Sequence, residues 1–431
     1  MSDLWDAAEN RVENRALLVA LHLSGDSKEK IEVSLDELKG LVETAGCTAV
    51  GYEVQKRKKP CASLFLGKGK ALELEKRRRA GEFDLLIFNH DLSPTQQRNL
   101  EDIIQCPIID RTTLILDIFA MRAKTREAKL QVELAQLQYR LPRLTGKGEE
   151  LSRLGGGIGT RGPGLTKLEV DRRKIRDRIA FISKELKKIE KHRRLIRKRR
   201  VSRDIPVVAL TGYTNVGKST LHDLLSGSGT YADDRLFATL DSTARKVVPK
   251  EGEPYVLIDT VGFIRDLPPK LVAAFRSTLE ELQYSDLLLH VVDSSSTDME
   301  QEIELVEKIL GELEVLKKPR ILVFNKIDKV EGKIPKVSHG AKREVYLSAL
   351  KGIGIEELNK AIQEEIIGDR EEMEIYIPFE QYKLLDLIHE EGIVLEQEPR
   401  EGGTFLKVIL KSSTAGKIKK ELGEKFPTSS V

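Results

Sequence analysis

The clearest chemistry in this sequence lies in one short run of residues. The run matches G-x-x-x-x-G-K-[ST] and consists of Gly212, Tyr213, Thr214, Asn215, Val216, Gly217, Lys218 and Ser219, followed by Thr220. In this pattern backbone N–H groups surround phosphate oxygens, the lysine neutralises their charge and the hydroxyl binds Mg²⁺. An apolar run over 205–211 precedes the motif, and leucines at helical spacing follow it. Because a phosphate-binding loop requires this strand–loop–helix context, we predict that the run binds a nucleoside triphosphate.

A second motif follows the next apolar run, over 254–259. It reads Asp259-Thr260-Val261-Gly262 and fits the D-x-x-G pattern. We expect Asp259 to hold Mg²⁺, through a water molecule, and the N–H of Gly262 to contact the γ-phosphate. Lys218 and Gly262 are therefore predicted to stabilise the charge that is transferred during hydrolysis.

A third motif indicates which base is bound. The apolar run 320–324 leads into Asn325, Lys326 and Asp328, and a later run ends in Ser348 and Ala349. A carboxylate here can accept two hydrogen bonds from the N1–H and exocyclic amine of guanine, and adenine offers neither donor there. A site with an unpaired carboxylate rejects the wrong base by roughly 10⁴-fold. We therefore predict a GTP site at the carboxyl ends of parallel strands.

Two features bear on hydrolysis. A switch threonine is expected between the first two motifs, where spacing alone leaves Thr239 and Thr243 as alternatives. Phe263 follows Gly262, at the position where Ras-like enzymes carry a glutamine that orients water. Because an apolar side chain cannot do this, we expect catalysis to use another group, a monovalent cation or a partner, or to be slow.

The elements that position these residues indicate an α/β protein of several domains. Apolar runs alternate with helical patterns over 1–112, which predicts an N-terminal parallel α/β subdomain. Similar alternation over 204–368 predicts the P-loop GTPase domain, whose third strand (286–292) carries no nucleotide motif. His222, in the helix after the first motif, is expected on the helix surface. The last stretch, 369–431, predicts a small α+β domain that docks and performs no chemistry.

Between the two α/β regions, residues 113–203 predict an antiparallel coiled-coil hairpin. One helix is expected over 113–141 and a second over 167–200, the second beginning at a capping box of Thr166 and Glu169. Six of the ten residues over 155–164 are glycine. Such a loop is either a flexible connector or a segment that closely approaches a ligand.

Charge is distributed unevenly along the chain. The 431 residues carry 72 Lys and Arg against 69 Asp and Glu, a net charge of +3. Residues 140–203 alone hold 22 Lys and Arg against 7 Asp and Glu. Such a basic segment is often only a solvated helix surface, but beside a glycine-rich loop it favours RNA binding.

Composition excludes several classes of protein. Three cysteines, Cys47, Cys61 and Cys106, are too few and scattered for a disulfide framework or a zinc site. No apolar run is long enough to span a membrane, and the first residues lack the apolar core of a signal peptide. We expect a cytoplasmic monomer.

Together these motifs resemble the HflX family of ribosome-associated GTPases over nearly the whole chain. The most specific stretches are 110–119, 130–144, 155–164, Gly67-Lys68-Gly69-Lys70, and Phe237-Ala238-Thr239-Leu240-Asp241; Phe263 also matches. The resemblance implies an N-terminal domain of two subdomains followed by a GTPase domain. Phe237 and Thr239 would then belong to the GTP site, with Thr239 as the switch threonine that binds Mg²⁺. Asn215 would coordinate K⁺, a hypothesis that suits a site without the glutamine.

The resemblance also implies a function. The protein would bind the large ribosomal subunit and its RNA, and couple GTP turnover to the splitting of stalled or idle ribosomes, notably under heat stress. The glycine-rich loop would contact the ribosome through Gly155, Gly156, Gly157, Ile158, Gly159, Thr160, Arg161 and Gly162. Two alternatives stay open: a nucleotide-switched binding module with negligible hydrolysis, and an RNA-remodelling NTPase that uses ATP.

Overall fold

The computed structural model describes most of the chain and divides it into two units. The described residues are 14–25, 27–144, 167–201, 205–227, 236, 237, 239, 241, 243–265, 276–332, 334, 337, 339–367, 370–400, 402–422, 429 and 430. Unit 1 comprises Met1–Leu186, Arg235–Leu240 and Asp266–Phe275, and unit 2 the remainder. Among the described residues, no helix combines the length and the apolar character needed to cross a membrane.

Unit 1 contains a four-stranded parallel sheet. Its strands are β1 (Arg15–Leu23), β2 (Thr48–Arg57), β3 (Leu85–Phe88) and β4 (Ile108–Asp110), in the order β2-β1-β3-β4. Residues 16–21 of β1 are all buried, as expected for a central strand covered on both faces. The predicted parallel α/β arrangement is confirmed.

Three helices cover this sheet. They are α1 (Lys28–Thr44), α2 (Lys68–Arg79) and α3 (Pro94–Ile104). The side chain of Ser93 accepts a hydrogen bond from Gln96 N, and the Gln96 side chain accepts one from Ser93 N, so a capping box starts α3. Alternate residues of β1 pack with α2 and α3 in one core that includes Leu17, Leu21, Leu74, Phe88 and Leu100.

The helical region differs from the prediction at its start. Instead of one helix over 113–141, the chain forms α4 (Arg111–Arg122), α5 (Arg126–Arg140) and a 3₁₀ turn (Leu141–Leu144). Ala123 leaves the helical conformation with ψ 108°, and the Thr125 side chain then accepts a hydrogen bond from Ala128 N at 3.1 Å. The single-helix prediction is wrong because Thr125 acts as an N-cap that starts a new helix.

The long helix α6 (Lys167–Val201) runs antiparallel to α5. Arg126 pairs with Glu185 at 2.9 Å, and Glu133 pairs with Arg178 at 2.6 Å, so the partners run in opposite directions along the two helices. The predicted antiparallel hairpin is confirmed for these residues. The glycine-rich loop and Thr166 lie outside the described residues.

Unit 2 contains a six-stranded sheet. Five parallel strands are β5 (Val207–Gly212), β7 (Tyr255–Asp259), β8 (Leu287–Asp293), β9 (Arg320–Asn325) and β10 (Arg343–Tyr346). A sixth, β6 (Thr243–Val247), pairs antiparallel with β7 at the edge, giving the order β10-β9-β8-β5-β7-β6. The accompanying helices are α7 (Lys218–Ser226), α8 (Arg276–Gln283), α9 (Met299–Glu312) and α10 (Ile355–Ile367).

The C-terminal residues of unit 2 form an antiparallel sheet of four strands. These are β11 (Arg370–Pro378), β12 (Gly392–Arg400), β13 (Gly403–Lys411) and β14 (Ser429–Ser430), in the order β12-β13-β11-β14. The helices α11 (Lys383–Glu391) and α12 (Ser412–Leu422) share an apolar core with this sheet. A 3₁₀ turn, Phe379–Gln381, precedes α11, and the predicted small α+β arrangement is present.

Candidate nucleotide site

The loop between β5 and α7 has a backbone that only glycine permits at two positions. Gly212 has φ +149°, and a Cβ atom there would lie 2.2 Å from the carbonyl oxygen of Val291. Gly217 has φ +91°, and its Cβ would lie 2.3 Å from Asn325 Nδ2. Both contacts are too short for a real Cβ, so these glycines allow the loop to lie directly on β8 and β9.

Lys218 is buried at the start of α7. Its Nζ donates hydrogen bonds to the carbonyl oxygens of Gly212 at 3.2 Å and Tyr213 at 2.5 Å. Burial lowers the pKa of Lys218 to about 8, against the attraction of Asp259 and with the repulsion of Lys326. An anion placed beside this ammonium group would favour its charged form.

Ser219 and Asp259 meet at the adjoining strand end. The Ser219 Oγ donates a hydrogen bond to Asp259 Oδ2 at 3.0 Å. The next residue, Thr260, donates from its hydroxyl to the carbonyl of Leu210 at 2.7 Å, which ties the end of β7 to β5. A hydroxyl and a carboxylate oxygen are thereby held together, and hard divalent cations prefer such oxygen ligands.

The D-x-x-G turn is joined to the phosphate-binding loop through the backbone. Thr214 N donates to the carbonyl of Phe263 at 2.8 Å, and Phe263 N donates to the carbonyl of Gly212 at 3.1 Å. A Cβ on Gly262 would lie 2.9 Å from Lys218 Nζ, so this backbone closely approaches the lysine. The ring of Phe263 is buried at 3% exposure, and it has no polar atom with which to orient water.

Asn325 connects the base-recognition motif to two other loops. Its Nδ2 donates to the carbonyl of Val216 at 2.8 Å, and its Oδ1 accepts from Ala349 N at 2.9 Å. Lys326 Nζ donates to the carbonyl of Asn215 at 2.7 Å and pairs with Asp293 at 2.8 Å. The structure thus brings the first and third motifs and the 348–349 loop together at one edge of the sheet.

Asp328 lies partly exposed in the short 3₁₀ turn after β9. A hydrogen bond from the Ser348 side chain is the main cause that lowers the pKa of Asp328 below its usual range. Ser348 is fully buried. The Asp328 carboxylate is therefore ionised at neutral pH and is oriented by the loop that contains Ser348 and Ala349.

Phe237 and Thr239 are placed differently from the other predicted site residues. By their contacts both are grouped with unit 1. Phe237 is buried with φ +55°, and its ring packs edge-to-face on Phe119 of α4 at 4.7 Å between centroids. Thr239 is partly exposed. Their roles in binding nucleotide remain predictions.

Two details were not anticipated. His222 is buried at 3% exposure, because α7 lies against β5, β6 and β7; the expectation of a surface position is wrong. Asp293, which pairs with Lys326, lies at the end of β8, the strand predicted to carry no nucleotide motif. Its position at the carboxyl end of a parallel strand was the available signal.

The three motifs, assembled at the carboxyl edge of one mostly parallel sheet, define a P-loop GTPase. Four family models match the chain: GTP-binding GTPase N-terminal over 32–120, GTP-binding GTPase Middle Region over 122–200, 50S ribosome-binding GTPase over 207–326, and HflX C-terminal domain over 334–430. The chain is 50% identical to the GTPase HflX of Caldanaerobacter subterraneus over 411 residues, 94% of each protein. It is 41% identical to the GTPase HflX of Escherichia coli over 412 residues, 95% of each. The chain belongs to the HflX family of GTPases.

One solved structure with partial likeness is a GTP-binding protein from the archaeon Sulfolobus solfataricus in complex with GDP. It is 27% identical, covers 82% of this chain and 99% of its own, and superposes with a TM-score of 0.45.

Proposed function

We propose that this GTPase binds the large ribosomal subunit and couples GTP binding and hydrolysis to the dissociation of stalled or idle ribosomes, especially under stress. The observation that carries the ribosomal part is the match of residues 207–326 to the family described as 50S ribosome-binding GTPases. The excess of 22 basic over 7 acidic residues across 140–203 supports RNA as the surface that is bound.

GTP would be held at the loop between β5 and α7. The backbone N–H groups of 213–219 and the N-terminus of α7 would surround the α- and β-phosphates. Lys218 would exchange its two carbonyl partners for phosphate oxygens. The γ-phosphate would lie between Lys218 and the N–H of Gly262, where the charge of the transition state develops.

Magnesium fits the oxygen pair of Ser219 and Asp259. Their oxygens are 3.0 Å apart, and the deep burial of Asp259, at 1% exposure, suits a carboxylate that compensates a cation. The resemblance to the family assigns a third oxygen to Thr239. When bound, the ion would neutralise charge on the β- and γ-phosphates.

Guanine would be recognised by Asp328. Its carboxylate, whose pKa is lowered chiefly by the hydrogen bond from Ser348, would accept hydrogen bonds from N1–H and the exocyclic amine. Asn325, Lys326 and Ala349 would hold the surrounding loops in register with the phosphates. This division of roles explains why the site contains both a phosphate motif and a base motif.

Hydrolysis would proceed without a glutamine at position 263. Since Phe263 is buried and apolar, we assign to Asn215 the coordination of a potassium ion that offsets the charge of the transition state. Asn215 is exposed with φ +59°, in a conformation that asparagine tolerates better than most residues.

The ribosomal proposal is tested by sedimentation with purified ribosomes. The full chain is mixed with large subunits in the presence of GDP, GTP or a non-hydrolysable GTP analogue. We expect the chain to pellet with the subunits most strongly with the analogue. Failure to pellet in every nucleotide state would remove the ribosomal proposal and leave the GTPase.

A further inference from the structure

A second basic region lies in unit 1, away from the helical hairpin. Residues 55–79 contain ten Lys and Arg against two Glu, and they form the end of β2, the following loop and α2. β2 is an edge strand, because the sheet order is β2-β1-β3-β4. We call this region the β2–α2 edge.

Some of these basic residues are committed to the fold. Glu53 pairs with Lys70 at 2.8 Å and with Arg77 at 2.9 Å, and Arg77 also pairs with Glu82 at 2.8 Å. The hydrogen bond that Lys70 donates to Glu53 is the main cause that raises the pKa of Lys70. These ion pairs hold α2 against β2, and they neutralise the carboxylates of Glu53 and Glu82.

Five lysines of the β2–α2 edge have no such partner. All five are exposed, and none of their ammonium groups forms an ion pair or hydrogen bond with the described part of the chain: Lys56, Lys58, Lys59, Lys68 and Lys76. Their positive charge is therefore not neutralised by neighbouring carboxylates. Lysine ammonium groups that no carboxylate neutralises are available to an anionic partner.

Three of these lysines are close together in sequence at the end of β2. Gly67 N donates to Gln55 Oε1 at 2.8 Å, and a Cβ on Gly67 would lie 2.7 Å from Arg57 Nη1. The start of α2, with Lys68, therefore lies beside the end of β2, the strand end from which Lys56, Lys58 and Lys59 follow closely along the chain. Lys76 lies eight residues further along α2, about 12 Å from Lys68.

An exposed aromatic ring lies on the same face of β2 as Lys56. Tyr52 is 69% exposed on β2. Glu53 and Gln55 face α2, so Tyr52 and Lys56 lie on the opposite face of the strand. Lysines that bind phosphates, together with an accessible aromatic ring that stacks on a base, are the combination that binds unpaired RNA.

We propose that the β2–α2 edge is a second RNA-binding surface, in which Lys56, Lys58 and Lys59 hold phosphates and Tyr52 stacks on an unpaired base. The inference rests on the proposed ribosomal function and adds a contact outside the hairpin. A lipid surface fits less well, because membrane-surface helices need an apolar face. Apart from Leu72 and Gly69, the exposed positions of α2 are charged: Lys68, Glu73, Lys76 and Arg79.

The test is the salt dependence of binding. We would compare the full chain with the triple variant K56Q/K58Q/K59Q, using large ribosomal subunits and, separately, their protein-free RNA. Loss of three phosphate contacts should lower the slope of log K against log salt concentration by about 3. The affinity near 0.15 M salt should fall by roughly tenfold to a hundredfold. The Tyr52→Ala variant should weaken binding by about fivefold or more, with the slope unchanged.

The matched control removes three lysine charges from unit 2, as many as the triple variant removes from the β2–α2 edge. Lys308, Lys317 and Lys360 are exposed and have no ion-pair partner among the described residues, and K308Q/K317Q/K360Q should bind like the unaltered chain. Equal guanine-nucleotide affinity in both triple variants would establish that the nucleotide site is intact.

The outcomes separate the two proposals. If subunits bind with the same affinity and slope after K56Q/K58Q/K59Q, the inference is overturned; increased aggregation would then indicate that these lysines only protect an edge strand. If intact subunits do not bind while the RNA does so in a lysine-dependent manner, the inference holds and the ribosomal function fails. Loss of binding to anionic phosphatidylserine vesicles, with RNA binding retained, would contradict the choice of RNA.

Discussion

At the scale of single residues, the nucleotide site is held by contacts that its own motifs supply to one another. Asn325 bonds to the carbonyl of Val216 and to Ala349 N, and Lys218 bonds to the carbonyls of its own loop. The loops that a nucleotide would contact are thus already joined by Asn325, whereas Lys218 would first release its two carbonyl partners. Preorganised loops of this kind favour binding, since little ordering of the loops remains to be done.

The first prediction concerns Asp328. An Asp328→Asn exchange should weaken GTP binding by about a hundredfold or more, because an amide cannot accept from both guanine donors. It should favour xanthosine triphosphate, whose base has a carbonyl in place of the amine. Displacement of a fluorescent nucleotide measures both affinities. The exposed Asp386 provides the control Asp386→Asn, and an unchanged preference between GTP and ATP in Asp328→Asn would contradict guanine recognition by this residue.

The second prediction concerns Gly262. In Gly262→Ala, the new Cβ would lie 2.9 Å from both Lys218 Nζ and Thr214 Cα, so the lysine and the γ-phosphate would be displaced. Affinity for a non-hydrolysable GTP analogue should fall by about tenfold or more, and affinity for GDP should fall less. Calorimetric titration with both nucleotides measures the difference.

Gly311 in α9 is the matched control for that exchange. A Cβ there has nothing within 4 Å, so Gly311→Ala should leave binding unchanged and stabilise the helix by up to about 1 kcal/mol. Equal loss of GDP and analogue affinity in Gly262→Ala would argue that position 262 has only a structural role.

The third prediction concerns the monovalent cation. If Asn215 coordinates potassium, GTP turnover should be several-fold faster in potassium than in sodium buffer, because a bound cation would offset charge in the transition state. Asn215→Ala should remove the difference while leaving GDP affinity nearly unchanged. Equal turnover in the two buffers would rule out this role.

At the scale of elements, the predictability of the fold followed the strength of the local signal. β1, β5, β7, β8 and β9 were expected because each is a continuous apolar run, as buried parallel strands require. β6 was missed because four of its five residues are exposed, so pairing with β7 rather than hydrophobic pattern defines it. The break between α4 and α5 was missed because Thr125 as an N-cap outweighs a sequence of helix formers.

The residues of the nucleotide site also differ in whether local sequence predicts them. Motifs at strand ends predicted the residues that meet there, since parallel strands bring their carboxyl ends to one edge. Asp293 and the buried position of His222 followed from packing between distant segments. The packing of Phe237 on Phe119 also joins residues far apart in the chain, which spacing does not reveal.

The fourth prediction concerns His290 in β8. Burial is the main cause that lowers the pKa of His290 to about 3, with Arg320, His339 and Lys218 adding to it. In the unfolded chain the His290 imidazole therefore binds a proton as the pH falls through about 6.5, whereas in the folded chain it stays neutral. The free energy of unfolding is not reduced by His290 above about pH 6.5, and it decreases as the pH falls from there towards 3. At pH 5 the loss is about 2 kcal/mol.

Hydrogen exchange of β8 amides at pH 7.5 and 5.0, corrected for intrinsic rates, measures this loss. In His290→Leu, the free energy of local opening should depend less steeply on pH than in the unaltered chain. Identical pH dependence in the two proteins would show that folding does not lower the pKa of His290.

At the scale of the whole molecule, the near-neutral net charge is the sum of a strongly basic segment and an acidic remainder. Residues 140–203 carry 22 basic against 7 acidic residues within a total net charge of +3, so the remainder is acidic. A further basic edge lies on β2 and α2. Positive charge concentrated in residues 140–203 and at the β2–α2 edge, in a chain whose unit 2 contains a guanine-nucleotide site, is the distribution expected of a GTPase that binds RNA.

The central claim is that GTP hydrolysis is coupled to the ribosome. The most direct measurement is GTP turnover by the full chain with and without purified large ribosomal subunits. We predict that the subunits raise turnover by about an order of magnitude or more, because the partner would supply stabilisation that Phe263 cannot. Turnover that is unchanged at every subunit concentration, without co-sedimentation in any nucleotide state, would contradict this account.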